Sequence, residues 1–112
     1  ISQLYNDRLI EARAYGQLDV FKAAVTFARS EAIIPAPEPS HAIKAVVDEA
    51  MRCKDEGKQE TILFNLCGHG NFDMAAYDAY FAGKLEDYSL PQEEIERALR
   101  DIAGLPVPAA TP

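Results

Sequence analysis

The chain has 112 residues, 48% of them hydrophobic, which is enough for one modest globular domain with a single core. Its net charge of -7 argues against the basic surface that binding to nucleic acid or to an anionic membrane requires. No apolar run approaches the roughly 20 residues of a membrane-spanning helix. Only two cysteines are present, so no disulfide framework is expected. We therefore predict a cytoplasmic domain with neither nucleic acid nor membrane as a partner.

Two helices are predicted in the first third of the chain. Residues 2–9 carry apolar side chains at near-helical spacing, which favours a short helix. Residues 11–15 are compatible with continued helix or with a short strand. The next helix has Asp19 as its predicted cap and an apolar face that continues to about Arg29.

A proline-rich connector follows the second helix. Residues 32–39 contain three prolines in five positions, and each proline removes a backbone donor and favours extended geometry in the residue before it. We therefore predict a stiff, irregular connector. Its Glu38 carboxylate either points in a fixed direction or caps the next helix. That helix runs from near Ser40 to a C-terminal turn at Gly57 and has the strongest amphipathic pattern in the chain.

Residues 61–73 form the centre of the predicted fold. Residues 62–66 are almost all apolar, which is typical of a strand covered on both faces in a parallel sheet. A single strand leaves its backbone groups unpaired, so its neighbours must come from residues 11–15, from a longer polypeptide or from a partner. The predicted class is α/β and mostly helical, with one or two strands of a larger parallel sheet flanked by four or five helices.

Two further helices are predicted after the strand. Asp73 is expected to cap the first, with Phe72 packing back on its opening turn. The second is expected to begin with a capping box formed by Ser89 and Gln92. Prolines and small residues dominate the end of the chain, and we predict a flexible tail at 105–112.

The turn that follows the predicted strand, Cys67-Gly68-His69-Gly70, is a candidate binding site. Ligands in open α/β sheets bind beyond the carboxyl ends of strands. Glycines allow close approach of a ligand, and amides at the start of the next helix favour an anion. The alternative is a tight turn that needs glycine at positive φ. A buried, inert thiol is the favoured interpretation of Cys67.

Histidine is not predicted to bind a metal in this chain. For His41, a hydrogen-bonded capping or core role is favoured, because its neighbours in the predicted helix are apolar. The two histidines and two cysteines show no recognised ligand spacing. No metal site is therefore predicted.

Two segments resemble motifs of a known enzyme family. Residues 30–43, SEAIIPAPEPSHAI, resemble the E-G-I-I-P-A-x-E-S-x-H-A segment of the tryptophan synthase beta chain. Residues 64–73, FNLCGHGNFD, resemble its N-L-S-G-x-G-x-x-D segment, and the spacing between the two segments agrees. His69 and Phe72 make the chain most similar to the beta-like subgroup. The resemblance covers residues 1–104 and implies the C-terminal portion of that fold.

The resemblance implies a fold type II pyridoxal phosphate enzyme that makes L-tryptophan from indole and L-serine by β-replacement. Cys67 stands where the family has a serine that hydrogen-bonds the pyridine nitrogen of the cofactor, with Gly68 next to it, and Glu38 corresponds to a carboxylate beside the cofactor ring. A thiol is also neutral but is a weaker hydrogen-bonding group. The connector departs from the family at Ala32, where the family has glycine, and at Pro39, where it usually has serine.

The resemblance also implies partners. The family's Schiff-base lysine, its glycine-rich loop for the cofactor phosphate and its acid for serine dehydration belong to an upstream part, and no lysine here follows a histidine. We therefore expect the upstream part of the same protein, a homo-oligomer and an alpha subunit as partners, and no catalysis by this chain alone. The alternatives are a stand-alone remnant that self-associates through a strand edge, and a phosphate-binding module that uses residues 67–70.

Overall fold

The structure, a computed structural model, describes residues 1–104. Five α-helices and one short 3₁₀ helix form within these residues, which confirms the mostly helical character and the number of helices. The helices are α1 (Ser2–Asn6), α2 (Gln17–Glu31), α3 (Pro37–Asp55), α4 (Met74–Phe81) and α5 (Gln92–Ile102), with the 3₁₀ helix Gly70–Phe72 between α3 and α4. No helix in this part of the chain is both long enough and apolar enough to cross a membrane. The tail predicted at 105–112 lies outside the described residues.

The chain divides into two compact units. Residues 15–87 form the larger unit, which contains α2, α3 and α4 and both motif segments. Residues 1–14 and the segment that starts at residue 88 form the other unit, which contains α1 and α5. Neither α1 nor α5 has a buried residue, so the core described here belongs to the larger unit.

The core of the larger unit lies where α2 meets α4. Phe21 and Ala24 of α2 are buried against Tyr77 of α4. The Phe21 ring meets the Tyr77 ring edge to face, with centroids 5.1 Å apart, and stacks on Tyr80 at 5.5 Å. Aromatic pairs of this kind contribute about 1 kcal/mol beyond the area they bury. The pairs therefore fix α4 on α2, while α3 packs along α2 through a face that includes Ile43.

The start of α2 differs from the prediction. Gly16 is the N-terminal boundary residue, so Asp19 lies in the first turn and does not cap the helix. The carboxylate of Asp87 accepts a hydrogen bond from the Leu18 amide at 3.0 Å. A helix leaves its first amides unpaired, and here a carboxylate that is distant in sequence satisfies one of them. Local sequence rules could not identify that partner.

The start of α3 also differs from the prediction. The helix begins at Pro37, three positions before Ser40. Proline fits the first turn of a helix, because amides there have no partner within the helix and the proline φ is already helical. The irregular connector is therefore shorter than predicted, and Glu38 lies in the first turn of α3. The end of the helix agrees with the prediction, with Gly57 at a φ of +66°.

The predicted caps of α4 and α5 are wrong. Asp73 occupies the N-terminal boundary of α4, but its side chain makes no capping hydrogen bond. Its amide is bound to the Gly70 carbonyl, so the backbone already turns helically before α4 begins. Phe72 is 91% exposed and does not pack on the first turn. Pro91 is the boundary residue of α5, and no side-chain cap forms there, so the capping box is absent.

The predicted strand at 62–66 does not form in residues 1–104. The backbone of residues 60–67 makes no hydrogen bond to other backbone groups in this part of the chain. Residues 11–15, one suggested source of a neighbouring strand, form neither helix nor strand. A strand requires ladder partners, and the described residues supply none. This explains the difference from the prediction.

The side chains of the same segment are covered on one side only. Ile62 and Phe64 are half-buried, and the Phe64 ring meets Phe27 of α2 edge to face at 5.9 Å. Leu63, which lies between them, is 94% exposed. The alternation is that of an extended chain with one face on the helices. The prediction of a segment buried on both faces is therefore wrong for residues 1–104.

Candidate functional site

The two motif segments lie side by side. The Ala36 amide donates to the Gly68 carbonyl at 3.1 Å, and the Gly70 amide donates to the Ile34 carbonyl at 2.7 Å. Between these bonds, Pro35 and His69 form an isolated antiparallel bridge. We call residues 34–36 and 68–70 the paired segments.

The pairing brings two predicted site residues to the same end of the paired segments. In an antiparallel register, the chain that leaves Ala36 and the chain that enters Gly68 lie at one end. Glu38 follows the first and Cys67 precedes the second. The structure therefore places the predicted residues Glu38, Cys67 and Gly68 in one region of the larger unit.

Cys67 is exposed, whereas Cys53 of α3 is buried. The interpretation of Cys67 as a buried thiol is therefore wrong within residues 1–104. Cys67 ends the segment that lacks backbone partners, and no hydrogen bond to its sulfur is formed in this part of the chain. The thiol is free to contact a ligand that approaches from the exposed side.

Glu38 is exposed in the first turn of α3. Its carboxylate makes no hydrogen bond or ion pair within residues 1–104, and α3 has no side-chain cap. The capping alternative is therefore not supported by a direct contact. A carboxylate so close to the amino end still interacts favourably with the helix dipole.

The histidine on α3 is bound to its own helix. His41 Nδ1 lies 3.1 Å from the Pro37 carbonyl and 3.2 Å from the Glu38 carbonyl, so it must carry the hydrogen and donate to them. His41 is exposed, which confirms a hydrogen-bonded role near the helix start and not a core role. Among the described residues, no three His, Cys, Asp or Glu side chains are arranged to hold a metal ion.

The glycines of the turn are explained by close packing of the two segments. A Cβ added to Gly70 would lie 2.9 Å from Ile34 Cγ2 and closer still to the Pro35 carbonyl oxygen. A Cβ added to Gly68 would lie 3.2 Å from Ala36 Cβ. Neither glycine has a positive φ, so the alternative of a turn that needs positive φ is wrong. The backbone at Gly68 and Gly70 approaches residues 34–36 closely, which glycine allows because it has no side chain.

Three of the amides from Gly70 to Asp73 are occupied. The Gly70 amide is bound to Ile34, and the Asn71 amide donates to His69 Nδ1 at 3.4 Å. The Asp73 amide is bound to the Gly70 carbonyl at 2.9 Å. An anion needs several free amides that point at it. These three amides are therefore not available to an anion.

Two buried hydroxyl groups contact the first paired segment. Tyr77 Oη donates to the Pro35 carbonyl and Ser40 Oγ donates to the Ala36 carbonyl, each at 2.6 Å. Tyr77 is 4% exposed and Ser40 is fully buried. We call Ser40 and Tyr77 the hydroxyl pair. Sequence reasoning placed them only on helices, although a Tyr and a Ser on core-facing positions each require a partner.

The phenol of Tyr77 is held in its protonated form. Burial raises the pKa of Tyr77, the nearby Ser40 hydroxyl lowers it in part, and the Asp73 carboxylate raises it. The net effect is a pKa above the ordinary tyrosine value of about 10. At neutral pH, Tyr77 is therefore a hydrogen-bond donor to Pro35.

Comparison with known proteins identifies relatives of the chain. No family model matches it. It is 59% identical over 87 residues to tryptophan synthase beta chain 2 of Aquifex aeolicus, which is 78% of this chain and 20% of that protein. It is 59% identical over 86 residues to tryptophan synthase beta chain 2 of Methanosarcina mazei, again 20% of that protein. The tryptophan synthase beta chain of Thermococcus gammatolerans is 53% identical over 88 residues, 79% of this chain and 20% of that protein.

These matches cover most of this chain but only part of each relative. The chain spans about a fifth of the length of the curated relatives it matches. Identity of 53 to 59% over more than three quarters of the chain agrees with the resemblance of the two motif segments. The chain is therefore homologous to a portion of the tryptophan synthase beta chain.

Proposed function

We propose that this chain is part of a pyridoxal phosphate-dependent lyase that makes L-tryptophan from indole and L-serine by β-replacement. Its contribution is the side of the site that faces the cofactor ring. The observation that carries the proposal is the pairing of residues 34–36 with 68–70, which places Glu38 and Cys67 at one end of the paired segments. Identity to the relatives named tryptophan synthase beta chain supports the activity.

The residues at this end fit the ring of the cofactor. Cys67 offers an exposed thiol and Glu38 an exposed carboxylate, and neither side chain has a partner within residues 1–104. Gly68 follows Cys67 and is bound to the Ala36 amide, and it carries no side chain that would obstruct a planar ring. The proposed site residues are therefore Cys67, Glu38 and Gly68.

Each of these residues has a distinct part in the proposed mechanism. When bound, pyridoxal phosphate supplies a ring that withdraws electrons from the Cα of the amino acid. Cys67 would meet the pyridine nitrogen with its thiol and would therefore not stabilise a proton on it. This contact would restrain delocalisation into the ring and would favour loss of a β-substituent over transamination. Glu38 would lie beside the ring and limit its orientation.

The rest of the site is proposed to come from the upstream part of the same protein. We propose that residues 62–66 become a strand of a larger parallel sheet there, as in the C-terminal portion of a fold type II enzyme. Three findings support this: the backbone of 60–67 has no backbone partners in the described chain, Leu63 is 94% exposed, and the relatives are about five times longer than the match. The cytoplasmic setting, the homo-oligomer and the alpha subunit stay predictions.

A cysteine exchange in the full-length protein tests the proposal. Cys67→Ser restores the hydroxyl of the family motif, which binds the pyridine nitrogen more strongly than a thiol does. We expect a shifted absorbance of bound pyridoxal phosphate and a changed rate of tryptophan formation from indole and L-serine. Cys53→Ser, at the buried cysteine of α3, is the control and should change neither. An unchanged spectrum and rate in Cys67→Ser would contradict the proposed contact of this side chain with the pyridine nitrogen.

Isolation of the chain tests the dependence on an upstream part. We expect the chain of 112 residues to retain no pyridoxal phosphate after gel filtration, whereas the full-length protein retains it. Retention of the cofactor by the isolated chain, with turnover of L-serine, would contradict the proposal that the catalytic lysine lies elsewhere.

The alternative is a non-catalytic remnant that self-associates as an interaction module. The unpaired backbone of 60–67 and the exposed Leu63 favour it, because an open edge can pair with a second copy. Sedimentation over a range of concentrations tests this function. It requires an oligomer that Leu63→Lys weakens, and no cofactor binding even by the full-length protein.

A further inference from the structure

The first paired segment has little to hold it through its own backbone. Pro35, at its centre, has no amide and cannot donate to His69 opposite. The two hydrogen bonds between the segments therefore come from residues on either side, Ala36 and Gly70. A bridge with only two backbone hydrogen bonds is weak, because an isolated pair of strands is marginal in water. Further anchors are needed to keep it in one position.

The hydroxyl pair supplies these anchors from the core. Tyr77 projects from α4 and binds the Pro35 carbonyl, the one backbone polar group that proline retains. Ser40 projects from the first turns of α3 and binds the carbonyl of Ala36. Pro35 itself is less than 2% exposed, so water does not compete for its carbonyl. Both bonds therefore form in a buried environment. Breaking the Tyr77 bond leaves the Pro35 carbonyl unpaired, whereas the Ala36 carbonyl also accepts a hydrogen bond from the Ser40 amide at 3.3 Å.

Ala36 connects the hydroxyl pair to both proposed site residues. Its carbonyl is bound by Ser40, and its amide is bound to Gly68, the neighbour of Cys67. It is also the boundary residue of α3, two positions before Glu38. The packing between Ala36 and Gly68 is also close, since a Cβ on Gly68 would lie 3.2 Å from Ala36 Cβ. A shift of Ala36 therefore moves both sides of the proposed site.

We propose that the hydroxyl pair, Ser40 and Tyr77, consists of positioning residues for the cofactor-ring site. By holding the Ala36 and Pro35 carbonyls they fix the spacing at which Glu38 and Cys67 face the ring. The role in cofactor binding rests on the proposed function. The hydrogen bonds and their effect on the paired segments do not rest on it.

Hydrogen exchange tests the structural step in the chain itself. Tyr77→Phe keeps the ring and its packing on Phe21 and removes only the hydroxyl. We expect the amides of Ala36 and Gly70 to exchange about ten-fold faster, the typical effect of losing one buried hydrogen bond, while amides in the middle of α3, such as Ile43, keep their rates. Ser40→Ala should act in the same direction as a second, independent variant.

A matched variant separates positioning from general stability. Tyr80→Phe removes a hydroxyl from the same helix, and the Tyr80 ring also packs on Phe21, but its hydroxyl binds neither paired segment within residues 1–104. It should leave the exchange of Ala36 and Gly70 unchanged. The inference is overturned if neither Tyr77→Phe nor Ser40→Ala accelerates these two amides. It is also overturned if all protected amides accelerate equally, which indicates only lower global stability.

Cofactor spectroscopy tests the functional step in the full-length protein. With pyridoxal phosphate as the probe, Tyr77→Phe should shift the absorbance of the bound cofactor and lower kcat more than it changes KM for L-serine, and Tyr80→Phe should do neither. If the unaltered protein binds no pyridoxal phosphate, the proposed function and the cofactor role both fail, and the exchange result still decides the structural step. If it binds the cofactor and Tyr77→Phe leaves the spectrum and kcat unchanged, the positioning role alone is wrong.

Discussion

Ala32 is the residue at which a single substitution should stabilise the chain. It ends α2 in the left-handed conformation, with φ 59° and ψ 25°, and its amide donates to the Ala28 carbonyl at 3.1 Å. Glycine stands at this position in the family that the motif resembles. Ala32→Gly keeps the same hydrogen bond and loses almost no packing, because Ala32 is exposed.

The expected gain follows from two opposing terms. The left-handed conformation costs an L-residue about 1–2 kcal/mol, which glycine does not incur. Glycine in turn gives the unfolded chain more freedom, which offsets about 0.4–1 kcal/mol. The net stabilisation should be about 0.5–1 kcal/mol. For a domain of this size, that corresponds to a rise in Tm of about 2–8 °C.

Thermal unfolding followed by circular dichroism measures this change. Gly57→Ala is the matched control, because Gly57 has a φ of +66° and an added Cβ meets no atom within 4 Å. It makes the reverse change at the same backbone conformation and should lower Tm by a similar amount. The reasoning is refuted if Ala32→Gly lowers Tm, or if Gly57→Ala raises it.

Three further predictions concern the packing of the larger unit. Gly70→Ala should destabilise the chain by about 3 kcal/mol, because the added carbon meets a buried backbone, whereas Gly68→Ala should cost about 1 kcal/mol or less. Urea unfolding compares the stability of the two variants, and equal losses would contradict the close packing at Gly70. Asp87→Ala should lower the free energy of unfolding by about 1 kcal/mol, because the hydrogen bond to the Leu18 amide is lost, and Asp87→Asn should lower it less. An equal decrease in both variants would argue against a capping role of Asp87. Because the pKa of Tyr77 is raised in the folded state, its contribution to the free energy of unfolding should be complete below about pH 10 and should be lost as the pH rises through the folded-state pKa. Unfolding curves of the unaltered chain at alkaline pH should therefore show a steeper decline in stability than those of Tyr77→Phe.

The helices were predictable because their signal is local. Phe21 and Ala24 in α2, and Ile43 in α3, follow the helical period, so the core faces could be identified before the structure was known. The start of α2 could not, because the Leu18 amide is bound by Asp87, which is distant in sequence. Pro37 misled the prediction in another way, since the same residue breaks a helix interior and favours a helix start.

The strand shows a different kind of failure. Residues 62–66 have the apolar pattern of a buried strand, yet whether they form one depends on neighbours that the described residues do not contain. Glu38, Cys67 and Gly68 were identified as candidate site residues through the two motifs, and their role stays a prediction. The hydroxyl pair was missed because burial of Ser40 and Tyr77 arises only when α3 and α4 are placed on α2.

The unequal exposure of the two cysteines gives the chain a built-in reporter. A thiol-reactive fluorophore or spin label should attach to Cys67 in the folded protein, while Cys53 becomes reactive only when α3 opens. A label at Cys67 adjoins Gly68 and therefore the pairing with Ala36. Its emission or mobility would follow that contact directly, and the delayed modification of Cys53 would time unfolding of the core in the same sample.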